Sequence, residues 1–353
     1  MARPADSRGS DFGVVIVATP DHLHWVRGAC ASVRYFMDDT PICLVLDGKG
    51  RVDDLEAYGV RVIPREEVAH DELRELTFGS IKAKNAVFWL SPFETFLFLD
   101  ADAVVWGDMR ALADFGRFDV VLGAPIGDPE RVRKAVMDVE AVDRFFPDFD
   151  ATSHVGDFVN SGVFFGRRGV LDLDLYLELV RFSRAHPGVL SAGSQGVLNL
   201  LIFRAADEGK LRLAHRDLQV VAGDVERDEL VRRFSFSNGA PHVVGAPIAL
   251  HWARTPKPRV REAAGDYFAP MTYFRRRFRI AVRNGDSPRA ADDARLRLED
   301  LACRDWRSPN LRGRSRRLRR RATRRTRRLL ARARVHVRRR APQWLVAAIK
   351  SDE

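Results

Sequence analysis

The chain is 353 residues long, 46% hydrophobic and 9% aromatic, with a formal net charge of +11 at pH 7. That length and apolar content support a large buried core, and no run of about 18 uncharged apolar residues occurs that would read as a membrane span. The three scattered cysteines, Cys30, Cys43 and Cys303, argue against a disulfide framework or a cysteine zinc site and fit a reducing cytoplasm. The polar first ten residues hold no apolar leader segment, so no secretory signal is expected.

Residues 12–19, FGVVIVAT, form a first strand stopped by Pro20 and Asp21, and Asp21 is placed to cap a helix over 24–37. Residues 41–47 read as a second buried strand ending in Asp-Gly. A short helix over 53–58 then precedes a third strand at 60–63. This alternation predicts a parallel α/β sheet. Cys30 and Cys43 lie in apolar segments and read as core. Residues 66–90 are mostly helical; Lys82 and Lys84 within them cannot share a helix face, so one points toward a site and the other into solvent.

The stretch 95–105, TFLFLDADAVV, is the centre of the chain. An apolar run of this kind reads as a buried strand of a parallel sheet, and open α/β sheets bind ligands at the carboxyl ends of their strands. If Asp100 and Asp102 continue the strand, their carboxylates share one face. Their repulsion then calls for a hard divalent cation, which commonly also takes diphosphate oxygens. A turn or a helix cap is the competing reading; apolar sequence on both sides favours a site.

A short helix is expected at 109–115, a strand at 119–124 and helical sequence over 129–146, with His154 in a surface loop. Residues 157–166, DFVNSGVFFG, are apolar with Asn160-Ser161-Gly162 embedded. A glycine there admits close approach of a ligand or makes a bulge. An amphipathic helix follows at 171–185. Gly193-Ser194-Gln195-Gly196 opens another helix and sets a polar pair at its N-terminus, suited to a polar ligand or to ordinary capping. Short strands at 211–213 and 219–221 lead to 248–250, which ends in His251. That residue is a metal ligand by type or a satisfied buried histidine, and Arg254 and Lys257 beyond it suit phosphate.

In this order, the segments resemble the family 8 glycosyltransferases, retaining nucleotide-sugar transferases that include glycogenin and bacterial lipopolysaccharide galactosyltransferases. The resemblance runs from about residue 12 to about residue 258. Phe98-Leu99-Asp100-Ala101-Asp102 is close to the family's metal motif, Asn160-Ser161-Gly162-Val163-Phe164 matches its Asn-Ser-Gly-Val strand, and His251 with Lys257 matches its His-x-x-Gly-x-x-Lys-Pro. The resemblance implies an α/β GT-A fold: a mixed, mostly parallel sheet flanked by helices, spanning 12–283 after a flexible 1–11. It implies Asp100, Asp102 and His251 as ligands of Mn²⁺ or Mg²⁺. Thr19, Asp21, Lys84, Ser161, Gly162, Arg254 and Lys257 would contact the nucleotide sugar, and Asn160, Ser194 and Gln195 would act at the reacting centre. Two positions depart from the pattern: Ser194 stands where the family usually has Asp, and Arg254 where it has Gly. The expected activity is metal-dependent, retaining transfer of a hexose from a UDP-sugar to a glycan, lipid-linked or protein acceptor. The alternative is a catalytically degenerate sugar-nucleotide binder.

Residues 284–310 read as a linker with a short helix, and 311–353 as a basic tail. Residues 311–340 hold 16 arginines and no acid, and removing those 16 charges from +11 leaves the remainder at −5. Leu311, Leu318, Ala322, Leu329 and Ala333 make a narrow helical apolar stripe, and Trp344 heads an apolar tip. Such a segment suits an anionic membrane surface, so a cytoplasmic enzyme peripheral on the inner membrane face is expected. Nucleic-acid binding is disfavoured, since no aromatics interleave the arginines.

Overall fold

The computed structural model describes residues 11–191, 193–253, 265–283 and 296–299. All lie in the first of the chain's two units, Met1–Asp300; the second, Leu301–Glu353, is outside the described residues. The basic tail, Arg254, Lys257 and Cys303 therefore fall outside them, as does most of the expected linker.

The main sheet is built from β1 (Phe12–Ala18), β2 (Ile42–Leu46), β3 (Val60–Pro64), β4 (Thr95–Leu99), β6 (Val120–Leu122), β7 (Val163–Arg167) and β8 (Leu213–His215), in the order β3-β2-β1-β4-β7-β6-β8. Every neighbouring pair is parallel except the two that β7 makes, with β4 and β6. A second sheet of β5 (Ala103–Trp106), β12 (Ile248–His251) and β9 (Gln219–Val221) has β12 in the middle, antiparallel to β5 and parallel to β9. β10 (Phe236–Ser237) and β11 (Ala240–Pro241) form a small hairpin.

The sheet is buried on both faces, and the strand period of two divides it between two cores. Val14, Ile16, Leu44, Leu97, Leu99 and Phe165 point to one core; Val15, Cys43, Val45, Phe96, Phe98 and Phe164 point to the other. The first core is closed by α1 (Leu23–Phe36), the second sheet and α10 (Gly265–Arg283). The second is closed by α3 (Asp71–Thr77), α4 (Val87–Leu90), α5 (Pro129–Ala135), α6 (Val139–Phe145), α7 (Leu173–Ala185) and α8 (Gln195–Asp207). The short helices α2 (Asp53–Ala57) and α9 (Arg227–Arg233) complete the set. Each fully buried Leu, Val or Phe contributes roughly 1.5–3 kcal/mol, and the cross-strand pair Phe98–Phe164 adds a stacked contact at 4.8 Å between ring centroids. Residues 267–282 pack on the rest of the domain: Phe268, Phe274 and Phe278 are buried in the first core. α10 meets α1 at Gly28, where a Cβ would lie 2.4 Å from Met271 Sδ.

Two local expectations are corrected. Asp21 does not cap the first helix. Pro20 starts a single 3-10 turn, Pro20–His22, so His22 takes the cap position of α1 and the Asp21 carboxylate accepts instead from the Thr19 hydroxyl. The 66–90 segment is mostly helical, as expected, and comes in separate pieces: Gly79 adopts a φ of 78° between α3 and a 3-10 helix, Ile81–Ala86, which α4 follows. Finally, 95–105 is two strands in two sheets. The Asp100 N–H donates to the Gly162 carbonyl (2.9 Å) and the Ala103 N–H to the Asp100 carbonyl (3.0 Å). The first bond carries the β4–β7 register one residue past Leu99, and the second closes a turn through Asp100-Ala101-Asp102 that ends the strand.

Candidate active site

The turn after β4 lies at the carboxyl edge of the main sheet, where parallel topology leaves a crevice. Because β7 runs against its neighbours, its amino-terminal lead-in, Asn160-Ser161-Gly162, is delivered to that same edge. β12 brings the third component: His251 is in register with Ala103, and the Trp252 N–H donates to the Asp102 carbonyl at 3.1 Å. Strand pairing thus fixes His251 beside the aspartate turn.

The geometry is close. One ligand atom from each of Asp100, Asp102 and His251 lies within 4.8 Å of the others. His251 Nε2 is 3.3 Å from Asp100 Oδ2 and 3.6 Å from Asp102 Oδ1. Three such atoms can share one ion with bonds of roughly 2.0–2.6 Å. Lys84 Nζ stands 3.3 Å from Asp100 Oδ2 and donates to the Ser161 carbonyl at 3.4 Å. Lys84 is the lysine of the pair that faces the site, and burial alone lowers the Lys82 pKa before the Arg184 charge adds to it. Burial works against ionisation of Asp100, but the Lys84 ammonium and the His251 ring outweigh it and hold its pKa low. Burial likewise opposes protonation of His251, and hydrogen bonds and charge from Asp100 and Asp102 overcome it, so the ring's pKa is raised. The cluster thus places positive charge against paired carboxylates, the balance that a divalent cation also supplies. Two carboxylates and an imidazole, with further polar atoms around them, fit a hard or borderline divalent ion.

Gly162 has a specific reason to be glycine. A Cβ there would lie 2.1 Å from His251 Cε1 and 2.3 Å from Nδ1. The space beside its Cα is filled by the imidazole.

A cavity of about 410 Å³ opens over this cluster. Of the residues singled out in the sequence, Thr19, Lys84, Asp100, Asp102, Asn160, Gln195 and His251 line it. Asp21, Ser161, Gly162 and Ser194 stand behind its wall; Ser161 and Ser194 are each 1% exposed. Among the described residues, Ser161 Oγ, Ser194 Oγ and Gln195 Oε1 are buried without a hydrogen-bond partner, leaving polar capacity close to the cavity. The N-terminus of α8 is pinned from two sides. Asn85 Nδ2 donates to the Ser194 carbonyl (3.2 Å), and Asn199 exchanges two bonds with the Val159 main chain (2.9 and 3.1 Å). A second cavity of about 330 Å³ adjoins the first, sharing Asn160, Gln195 and Ala253, and carries Arg131, Asp217, Asp224 and Arg233.

Several residues at the site carry no mark in the sequence reading. Asp47 lines the main cavity and accepts the Gly79 N–H at 2.7 Å; burial raises its pKa against that bond and Arg65. Its place at the carboxyl end of β2 is the signal that pointed to Asp100. His22 also lines the cavity. Gln219 meets His251 Nδ1 through Oε1 at 2.8 Å and the Asn160 carbonyl through Nε2 at 2.9 Å. Only the pairing of β9 with β12 reveals that contact.

The sequence matches no protein-family model and no curated protein. Solved structures do resemble the chain. WbbM, a bifunctional glycosyltransferase, superposes with a TM-score of 0.53 at 13% identity over 84% of this chain and 53% of its own, so the chain spans about half of WbbM. The galactosyltransferase LgtC in complex with donor and acceptor sugar analogs gives 0.47 at 16% identity, covering 79% of this chain and 98% of LgtC. The glycosyltransferase GlyE of Streptococcus pneumoniae TIGR4 gives 0.46 at 15% identity, covering 77% and 64%. The superposition on WbbM and the mostly parallel sheet show a GT-A glycosyltransferase fold.

Proposed function

We propose that this protein is a metal-dependent glycosyltransferase that moves a hexose from a UDP-sugar to an acceptor hydroxyl with retention of configuration. The observation that carries the reading is the convergence of Asp100, Asp102, His251 and Lys84 in one cavity at the carboxyl edge of the sheet. Asp100, Asp102 and His251 would hold Mn²⁺ or Mg²⁺, which supplies Lewis-acid stabilisation of the charge growing on a departing diphosphate. Lys84 adds a cation to the same pole. Thr19, with Asp21 behind it, faces the base, and Asn160 and Gln195 face the sugar. Ser161 and Gly162 build the wall beside them. By the family resemblance, Arg254 and Lys257 complete the phosphate contacts and Ser194 replaces an acid near the acceptor.

In the transfer, the acceptor oxygen bonds to the anomeric carbon as the bond from that carbon to the diphosphate oxygen breaks. The acceptor proton passes to the departing diphosphate, and Gln195 stabilises the oxocarbenium-like centre. Among the described residues lining the cavity, the carboxylates are Asp47, Asp100 and Asp102. Two serve the cation and Asp47 is engaged by Gly79. None remains as a covalent nucleophile, so attack from the leaving-group face is the favoured route to retention. The domain spans residues 12–283. The arginine-rich 311–353 segment brings it to an anionic membrane surface and a lipid-linked or envelope acceptor. No helix among the described residues is long and apolar enough to cross a membrane.

The test is UDP release from a panel of UDP-sugars with Mn²⁺ or with EDTA, alongside UDP binding in the same samples. Release from one donor, abolished by EDTA, supports the reading. Binding without release points to an acceptor-strict enzyme or a degenerate binder, and absence of both refutes the assignment.

A further inference from the structure

We infer that Gln219 is the positioning residue of the cation site, fixing the tautomer of His251 and tying that ligand to the main chain of Asn160. The inference rests on the cation reading above and extends it to a residue outside the motif set. The Asn160 carbonyl can only accept a hydrogen bond, so the Gln219 amide turns its NH₂ to it at 2.9 Å. That orientation leaves Oε1 toward His251 Nδ1 at 2.8 Å. An amide oxygen also only accepts, so Nδ1 carries the hydrogen and donates. With Nδ1 so held, Nε2 is the ring nitrogen that faces Asp100 and Asp102, and it would ligate a metal bound between them.

The side chain type is itself informative. A carboxylate commonly holds a metal-bound histidine, but a carboxylate here would confront the Asn160 carbonyl with a second acceptor. Glutamine satisfies both partners and adds no third negative charge beside the aspartate pair. It is delivered by strand register rather than by a loop: Gln219 pairs with Ala249, and Val221 with His251, along β9 and β12. Asn160 lines both cavities, so one amide joins the cation pole to the wall where the sugar would lie.

Two variants of the full-length chain separate the two bonds. Gln219→Met keeps the length and removes both; Gln219→Glu keeps an acceptor for His251 and loses the donor to Asn160. Mn²⁺ affinity is read by electron paramagnetic resonance of free Mn²⁺, and donor KM by UDP release, with circular dichroism confirming the fold. Gln219→Met should weaken Mn²⁺ by roughly 10–100-fold, the range for lost outer partners of a metal ligand. Gln219→Glu should bind Mn²⁺ like wild type yet raise the donor KM by about fivefold, the worth of one ordinary hydrogen bond. A folded Gln219→Met with wild-type Mn²⁺ affinity overturns the inference, as do two variants impaired alike in both readouts. Asp102→Asn, measured alongside, tests the cation site itself. If Asp102→Asn binds Mn²⁺ as wild type does, the cation reading falls and this inference with it. If Mn²⁺ binding is lost in Asp102→Asn but intact in Gln219→Met, the inference alone falls.

Discussion

Adding a single methyl group at Gly162 tests the assembly of the site. In Gly162→Ala the new Cβ would sit 2.1 Å from His251 Cε1, where ordinary contact begins at 3.4 Å, so ring and backbone must part by 1.3 Å. His251 is 2% exposed and sits on the central strand of its sheet, with Nδ1 held by Gln219. A shift of that size far exceeds the roughly 0.2 Å tolerance of a metal–ligand bond. Overpacking should cost about 1–3 kcal/mol of stability, leaving a folded chain that has lost a ligand. Mn²⁺ affinity should fall by more than the roughly 100-fold seen when outer partners of a ligand are removed, with kcat/KM for the donor falling in step. The control is Gly166→Ala, whose Cβ would meet Phe88 at 2.8 Å and Phe96 at 2.9 Å. It overpacks the core away from His251 and should melt lower with Mn²⁺ affinity unchanged. Equal loss of Mn²⁺ binding in both variants, or none in a folded Gly162→Ala, would refute the argument.

Asp102→Ala should abolish metal-dependent UDP release while leaving the metal-free melting temperature close to that of wild type, because the relief of carboxylate repulsion is offset by the lost partner of His251; calorimetry and UDP release check both. Asp119 is held below the usual carboxylate range, first by its hydrogen bonds to Arg212 and also by Arg167, against the opposing effect of burial. Its folded pKa is depressed, so its stabilisation is present above the unfolded value of about 3.9 and is lost as pH falls through the folded one. The melting-temperature gap between wild type and Asp119→Asn should therefore be open at pH 7 and close in strong acid. Burial pushes the thiols of Cys30 and Cys43 up to about 12. Neither should be alkylated by iodoacetamide at pH 8 until guanidinium unfolds the chain, as peptide mapping would show.

The parts of the site that could be read from the sequence are those that end apolar strands. Asp100, Asp102 and His251 each follow a β-prone run, and a strand's carboxyl end is a place rather than merely a conformation. The parallel sheet was legible for the same reason, since buried strands and amphipathic helices have different periods. What escaped depends on partners distant in sequence. Nothing in 95–105 reveals that β4 and β5 belong to different sheets; that is decided by their partners, β1 and β7 for β4 and β12 for β5. Gly162 was expected to make room for a ligand or a bulge, and the neighbour at its Cα is an imidazole carried by β12. Gln219 lies 32 residues from the histidine it holds. Asp after a strand is often a helix cap, but here Pro20 inserts an extra turn and moves that position to His22.

The three-residue turn between Leu99 and Ala103 is also the covalent link from the large sheet to the small one. An ion bound there, held as proposed by Asp100, Asp102 and His251, would clasp both sheets at their seam, with two ligands on the link and the third on β12. By mass action, ligand at 100 times its dissociation constant would add about 2.7 kcal/mol to the folded state, much of it resisting parting at that seam. Cation binding would then act as a mechanical fastener as well as a chemical one. Main-chain amides along β12 and β5 should exchange with solvent more slowly when it is closed, before any sugar has entered the cavity.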